Sequence, residues 1–220
     1  LVAALARLRD RWTRIEAAAG AAIPPARIRG VDDPLHRLLL EHIAPDLERI
    51  VVGDQASFVR ARTWLAEWQP EMTQRLASVP DPFEATGVQE QLEEALQPSV
   101  PLAGGGSLII QPTAALTAID VNGGGRQALE ANLAAAREIA RQLRLRRIGG
   151  TVVVDFIDLA MRTARARVLA ALREGVADDP APVQVFPMSR FGLVEMSRKR
   201  IGPSLAEMLG RPCPACVCRG

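Results

Sequence analysis

Residues 116–155 read LTAIDVNGGGRQALEANLAAAREIARQLRLRRIGGTVVVD. Two short apolar runs flank a segment with helical periodicity. The spacing predicts a helix over 127–147, with Leu129, Leu133, Ala136, Ala140 and Leu143 as its buried stripe. Arg141, Arg144, Arg146 and Arg147 load its last turns, which suits the negative end of the helix dipole. The glycines of IGG then stop it. A strand, a helix of this length and a second strand make a βαβ unit with a parallel pair. The second strand, TVVVD, is β-branched and reads as apolar on both faces. The fold class expected is therefore α/β, with mixed α+β character.

Parallel neighbours end at the same edge of a sheet, where ligands commonly bind. Asp120 and Asp155 each stand near such an end. Asn122, two residues on, shares the face of Asp120 if the strand persists. Two carboxylates brought together repel unless a positive charge lies between them. A hard divalent cation such as Mg²⁺ suits an oxygen site of this kind and completes its shell with water and phosphate. Such a site polarises a phosphoryl group and activates water. The competing reading makes both aspartates turn or helix caps. Asp158 is either a further ligand or the N-cap of the next helix. The GGG at 123–125 fits neither dinucleotide-binding nor P-loop spacing and reads as a flexible turn.

Upstream, Leu1, Leu5, Leu8, Trp12 and Ile15 recur at helical spacing, the pattern of an amphipathic helix packed on something. Asp33 and Pro34 open a second helix. LERIVVGD is a short buried strand, and residues 55–77 read as helix interrupted near Pro70. Trp64 and Trp68 are core rather than a stacking platform, and His36 and His42 lack partners for a metal. Residues 99–122 read as a hairpin or meander. Downstream lie a basic helix, MRTARARVLAALREGV, and a strand, VQVFPMS.

The net charge is +2, but residues 121–220 carry 16 basic and 9 acidic residues against 11 and 16 in residues 1–120. A basic C-terminal half suits a polyanion. Of the 27 basic residues only Lys199 is lysine, and arginine suits bidentate phosphate contacts. No apolar run is long enough for a membrane span. The chain opens at Leu1 without an initiator methionine, so a fragment or a processed form is expected. The three cysteines all lie in the tail and form no disulfide framework, which makes a reducing, cytoplasmic setting the default. Cys213 and Cys216 form a C-x-x-C half-knuckle, with Cys218 as a candidate third ligand or a free thiol. A zinc shared between two chains, a redox pair and an unstructured tail all fit it.

In order and spacing, ALTAIDVN, NLAAAREIARQLRLRRIGGTVVVDFIDL, SRFGLVEMSRKR, PSLAEML and CPAC resemble the ribonuclease E/G family of endoribonucleases. The similarity is strong from about residue 88 and extends more weakly to the start of the chain. It implies a ribonuclease H-like region with a remnant of the 5′-sensor over 1–111, a DNase I-like catalytic subdomain over 112–210, and a zinc-link tail over 211–220. Matched residue by residue, it implies Mg²⁺ on Asp120 and Asp155, a catalytic role for Asn122, and Zn²⁺ on Cys213 and Cys216 joining two protomers. The implied reaction is Mg²⁺-dependent hydrolysis of single-stranded RNA to 5′-phosphate and 3′-hydroxyl ends. Arg141, Arg144, Arg190 and Arg198 are the candidate RNA contacts. The implied partners are RNA and further copies of the chain, as a homodimer or tetramer. A non-catalytic RNA-binding protein that kept the fold, and a zinc-linked assembly module, are the alternatives.

This chain departs from the family pattern in three places. The RNA-binding barrel and the Arg-Thr pair that reads a 5′-monophosphate would precede Leu1. The loop after Asn122 is short and glycine-rich, and Cys218 stands at a usual glycine.

Overall fold

The computed structural model describes residues 2–26, 33–44 and 46–210. The chain divides into two compact units, Leu1–Val88 and Gln89–Gly220. Together they make a mixed α/β protein with two sheets.

The first unit holds α1 (Val2–Ala21), α2 (Pro34–His42), β1 (Ile50–Val52), α3 (Gln55–Trp68), a 3₁₀ turn (Pro70–Arg75), β2 (Leu76–Ser78) and α4 (Pro82–Ala85). β1 and β2 pair in parallel. Asp33 caps α2 by accepting from the Leu35 amide at 3.0 Å, with Pro34 in the first turn. Asp54 caps α3 through the Ser57 amide at 2.7 Å, a bond that holds its carboxyl below the usual range. Pro70 lacks the N–H that would continue α3. The segment expected to resume as helix instead ends in the three-residue strand β2, too short to show a period of its own. Trp64 is half-buried between His36 and Trp68, with ring centroids 6.2 and 6.3 Å away. The apolar face expected to pack in α1 lies open, with Leu5, Leu8 and Trp12 exposed.

The second unit is built on a six-stranded sheet. Its elements are α5 (Val88–Leu96), β3 (Ser99–Pro101), β4 (Ser107–Pro112), β5 (Thr117–Asn122), α6 (Ala128–Leu145), β6 (Gly150–Asp155), α7 (Arg162–Gly175), β7 (Val183–Val185), β8 (Leu193–Arg198) and α8 (Leu205–Leu209). The strand order is β3-β4-β5-β6-β8-β7. Only β5 and β6 are parallel, joined through α6 as expected. The sequence boundary at 111/112 falls at the end of β4, whose six residues pair with β5. The compact units part at 88/89.

The strands alternate. Leu108, Ile110, Ile119, Val121, Val152, Val154, Val194 and Met196 are buried in one core with α6 and α7. Thr151 and Asp155 of β6 are exposed and Val153 is only half-buried, so this strand is covered on one face rather than two. The buried stripe of α6 is also turned from the expected one. Ala131, Asn132, Ala135, Ala136, Ile139, Ala140 and Leu143 are buried, whereas Leu129 and Leu133 are only partly so. Small residues face the neighbouring helix because the two pack closely: a Cβ on Gly175 would lie 2.8 Å from Ala140 Cβ. The helix ends one residue pair earlier than IGG. Arg147 takes the left-handed conformation at φ 52°, and the Ile148 amide reaches back to Leu143 O at 3.0 Å, the pattern of a Schellman cap.

Candidate active site

Four loops meet the sheet at one edge. One is the turn between β3 and β4, and the others follow β5, β6 and β7, because α6 and α7 each carry the chain back to the opposite edge before the next strand begins. Asp120 and Asp155 are direct register partners in the parallel pair. Both are exposed, and adjacent strands lie about 4.8 Å apart. The two carboxylates are therefore side by side on the sheet face away from α6. Asn122 is on the same face, and its Nδ2 donates to Asp120 Oδ2 at 2.9 Å. Neither aspartate forms a salt bridge among the described residues. Glu195 also lies on this face, opposite Val153 and one row removed.

The backbone beneath Asn122 is held from two sides. The glycine runs 104–106 and 123–125 pack against each other. A Cβ on Gly106, at φ +88°, would sit 2.3 Å from Asn122 O, and one on Gly124 would sit 2.5 Å from Gly106 N. The triplet after Asn122 thus serves close backbone approach. Arg126 then reaches across to Ala103 O at 2.8 Å. Neither the glycine pairing nor its partner residues could be read from the local pattern.

Asn132 is a second residue that sequence reasoning missed. It is fully buried on α6. Its Nδ2 donates to Ile157 O at 2.7 Å and its Oδ1 accepts from Ile157 N at 3.0 Å. Ile157 lies two residues past Asp155, so this bridge fixes the chain where it leaves β6. The available signal was a lone asparagine within an alanine-rich stripe. Asp158 does not cap α7, whose N-cap position is Met161 with no side-chain bond. It is exposed beside Gly192, its Oδ1 3.5 Å from where a Cβ there would lie.

The arginines divide sharply. Arg198 is interior, not an RNA contact. Its side chain is 2% exposed and Asp179 is fully covered. Two of its nitrogens reach Asp179 at 2.8 and 3.0 Å, and the third donates to Ile148 O at 2.9 Å. Burial alone would raise the Asp179 pKa. Hydrogen bonds from Arg198 and the Ala181 amide outweigh this and hold it below the ordinary value. Arg141 and Arg144 are exposed but stand at the C-terminal end of α6, the sheet edge opposite the aspartates. Arg141 is paired with Glu138 at 2.7 Å, and Arg144 donates to Gly175 O at 2.8 Å. Arg146 is buried, and burial pushes its pKa down. Its Nε donates to Gln142 Oε1 at 2.6 Å. Arg190, in the loop after β7, is exposed at the carboxylate edge. Arg162, at the start of α7, lies at that edge too and was not singled out.

Two carboxylates and an amide, with no salt bridge to either aspartate among the described residues, form a hard, oxygen-rich donor set, which fits a divalent cation such as Mg²⁺. Among the described residues, no third His, Cys, Asp or Glu gathers with the pair into a larger cluster. Cys213, Cys216 and Cys218 lie outside the described residues. No helix among those described is long and apolar enough to cross a membrane.

A family model described as the Ribonuclease E/G family matches residues 1–201. A protein named Ribonuclease E from Haemophilus influenzae is 38% identical over 221 residues, covering 95% of this chain and 24% of that protein. Ribonuclease E of a Nostoc species is 36% identical over 223 residues, covering 95% and 32%. Ribonuclease G of Escherichia coli is 36% identical over 195 residues, covering 84% and 40%. The chain thus spans between about a quarter and two-fifths of the length of these relatives.

Proposed function

Because this chain belongs to the ribonuclease E/G family, we propose that it carries the catalytic part of an endoribonuclease acting on single-stranded RNA. The observation that carries the proposal is the register pairing of Asp120 with Asp155 beside Asn122. The reaction is Mg²⁺-dependent phosphodiester hydrolysis that leaves 5′-phosphate and 3′-hydroxyl ends. On this reading the six-stranded unit corresponds to the family's DNase I-like subdomain, and the region before it to the ribonuclease H-like one.

Asp120 and Asp155 would hold the cation. When bound, it supplies positive charge against the phosphodiester and acidifies water. Asn122 orients the Asp120 carboxylate through its amide and presents its own carbonyl oxygen on the same face. Arg190 and Arg162, at the same edge, attract the phosphate backbone. Their contribution falls with rising salt as displaced counterions become less favourable to release. Cys213 and Cys216 supply half of a zinc site that a second copy completes, making a homodimer, with Cys218 as the spare thiol.

The test is a labelled single-stranded RNA with Mg²⁺ or with EDTA. D120N and D155N are each expected to lower cleavage by about a hundredfold to a thousandfold, the scale of removing a main charge-stabilising group, with unchanged melting. Undiminished cleavage by both variants would overturn the assignment. Binding without cleavage by the parent protein would favour a non-catalytic RNA-binding role. Zinc content and solution mass, with and without chelator, test the shared site.

A further inference from the structure

β7 and β8 are joined by a turn over Ser189–Gly192. Ser189 Oγ accepts from the amides of Phe191 at 3.3 Å and Leu193 at 3.2 Å. The Ser189 amide donates to Leu193 O at 2.8 Å, and the Gly192 amide to Ser189 O at 3.3 Å. Gly192 adopts φ +82°, and a Cβ there would lie 2.8 Å from Phe156 O. The turn is therefore shaped by its own hydrogen bonds and seated against the chain that leaves β6.

Its location follows from register. Asp120 pairs with Asp155, and Asp155 pairs with Leu193. One row across three strands thus runs from the two aspartates to the residue that closes the turn. Arg190 and Phe191 form the tip just beyond that row. Phe191 is 81% exposed. Burying a phenylalanine stabilises a protein by about 1.5–3 kcal/mol, and this side chain gains almost none of that. Behind the same loop, Pro187 and Met188 face Arg162 and Arg165 of α7 across a groove of about 530 Å³. An exposed aromatic side chain next in the chain to an exposed arginine, just past the paired carboxylates, with two further arginines on the groove behind the loop, is a combination suited to holding single-stranded nucleic acid by stacking and charge.

We infer that Phe191 is a positioning residue that stacks one base of the RNA and so registers the strand across the Asp120–Asp155 pair. This rests on the RNA reading above. The stack exists before and during the reaction, so it acts on binding. Its removal raises KM and leaves kcat nearly unchanged.

The experiment measures binding of a labelled single-stranded RNA in EDTA by the parent, F191A and F191W proteins. The same RNA is also made with a single abasic site walked along it. F191A is expected to weaken binding about tenfold and F191W to retain it, the scale of one base–aromatic stack. One abasic position weakens the parent by the same factor and F191A no further. Cleavage in Mg²⁺ shows the loss in KM. If the parent binds and cleaves RNA and F191A matches it, the stacking role falls and the endoribonuclease reading stands. An F191A loss that is equal at every abasic position also overturns it, as does a change confined to oligomeric mass. If the parent neither binds nor cleaves RNA, both readings fall.

Discussion

Asn132 grips both backbone groups of Ile157, donating to its carbonyl at 2.7 Å and accepting from its amide at 3.0 Å. The bond pair joins the helix that follows Asp120 to the chain that follows Asp155. The same crossover that makes β5 and β6 parallel thus also supplies the brace at their common end. A site assembled from two strand ends needs such a brace, because the pairing of β5 with β6 ends at the Asp120–Asp155 row.

Replacing Asn132 with alanine leaves the half-buried Ile157 amide and carbonyl without this partner. An unsatisfied buried group costs about 1–3 kcal/mol, so N132A should lower stability by that amount in urea unfolding. Cleavage should fall further than the folded fraction does, since Asp155 loses its fixed exit. N132D is expected to be no better, because its carboxylate accepts from the Ile157 amide but repels the carbonyl. Cleavage that simply tracks the folded fraction would mean that the brace is structural only.

Gly106 tests the glycine contact. A methyl group there would overlap Asn122 O at 2.3 Å, in a backbone conformation that disfavours side chains. G106A should destabilise by about 1–3 kcal/mol, the scale of overpacking. Displacement of Asn122 by a fraction of an ångström should lower cleavage by at least about tenfold, because about 1 Å of misplacement costs on the order of a hundredfold. Single-turnover cleavage in Mg²⁺ compared with the melting curve separates the two effects. G87A, at φ +69° with open space around it, is the control for backbone strain alone.

Much of this arrangement was legible because it rests on period and direction. Residues 116–155 announce strand, helix and strand, and parallel strands must end at one edge, so Asp120, Asn122 and Asp155 come together. What was not legible depends on long-range contact. Arg198 reads as an exposed cation, and only Asp179, nineteen residues earlier, shows it to be interior. Leu129 and Leu133 look like core residues, yet α7 approaches closely enough to require alanines instead. Asp158 has the spacing of a cap, but α7 begins at Arg162. The two glycine runs look like separate turns until β4 and β5 pair and bring them face to face.

The close approach of α6 and α7 gives a coupled prediction. A Cβ at Gly175 would fall 2.8 Å from Ala140 Cβ. G175A alone should cost about 1–3 kcal/mol. A140G alone should cost about 1 kcal/mol, because glycine is a poor helix former. The double variant removes the overlap, so it should be more stable than the sum of the two single effects by at least about 0.5 kcal/mol. Additive denaturation energies would show that the helices move apart freely.

Asp179 and Arg198 form a fully covered pair that ties the turn after α7 to the end of β8. Removing one partner of such a pair costs about 3–5 kcal/mol, because the other charge is left buried alone. D179A should therefore destabilise by that amount, and a D179L/R198M double variant should recover part of it. The pair also sets an acid limit. The Asp179 pKa is lower in the folded chain than its ordinary value of 3.8, so folding favours the charged form. Its contribution is complete above 3.8 and is lost as pH falls from there through the lowered folded value. The parent should lose stability steeply across that window in pH-dependent urea melts. The double variant should show a shallower slope, and an unchanged slope would place the acid sensitivity in other carboxylates.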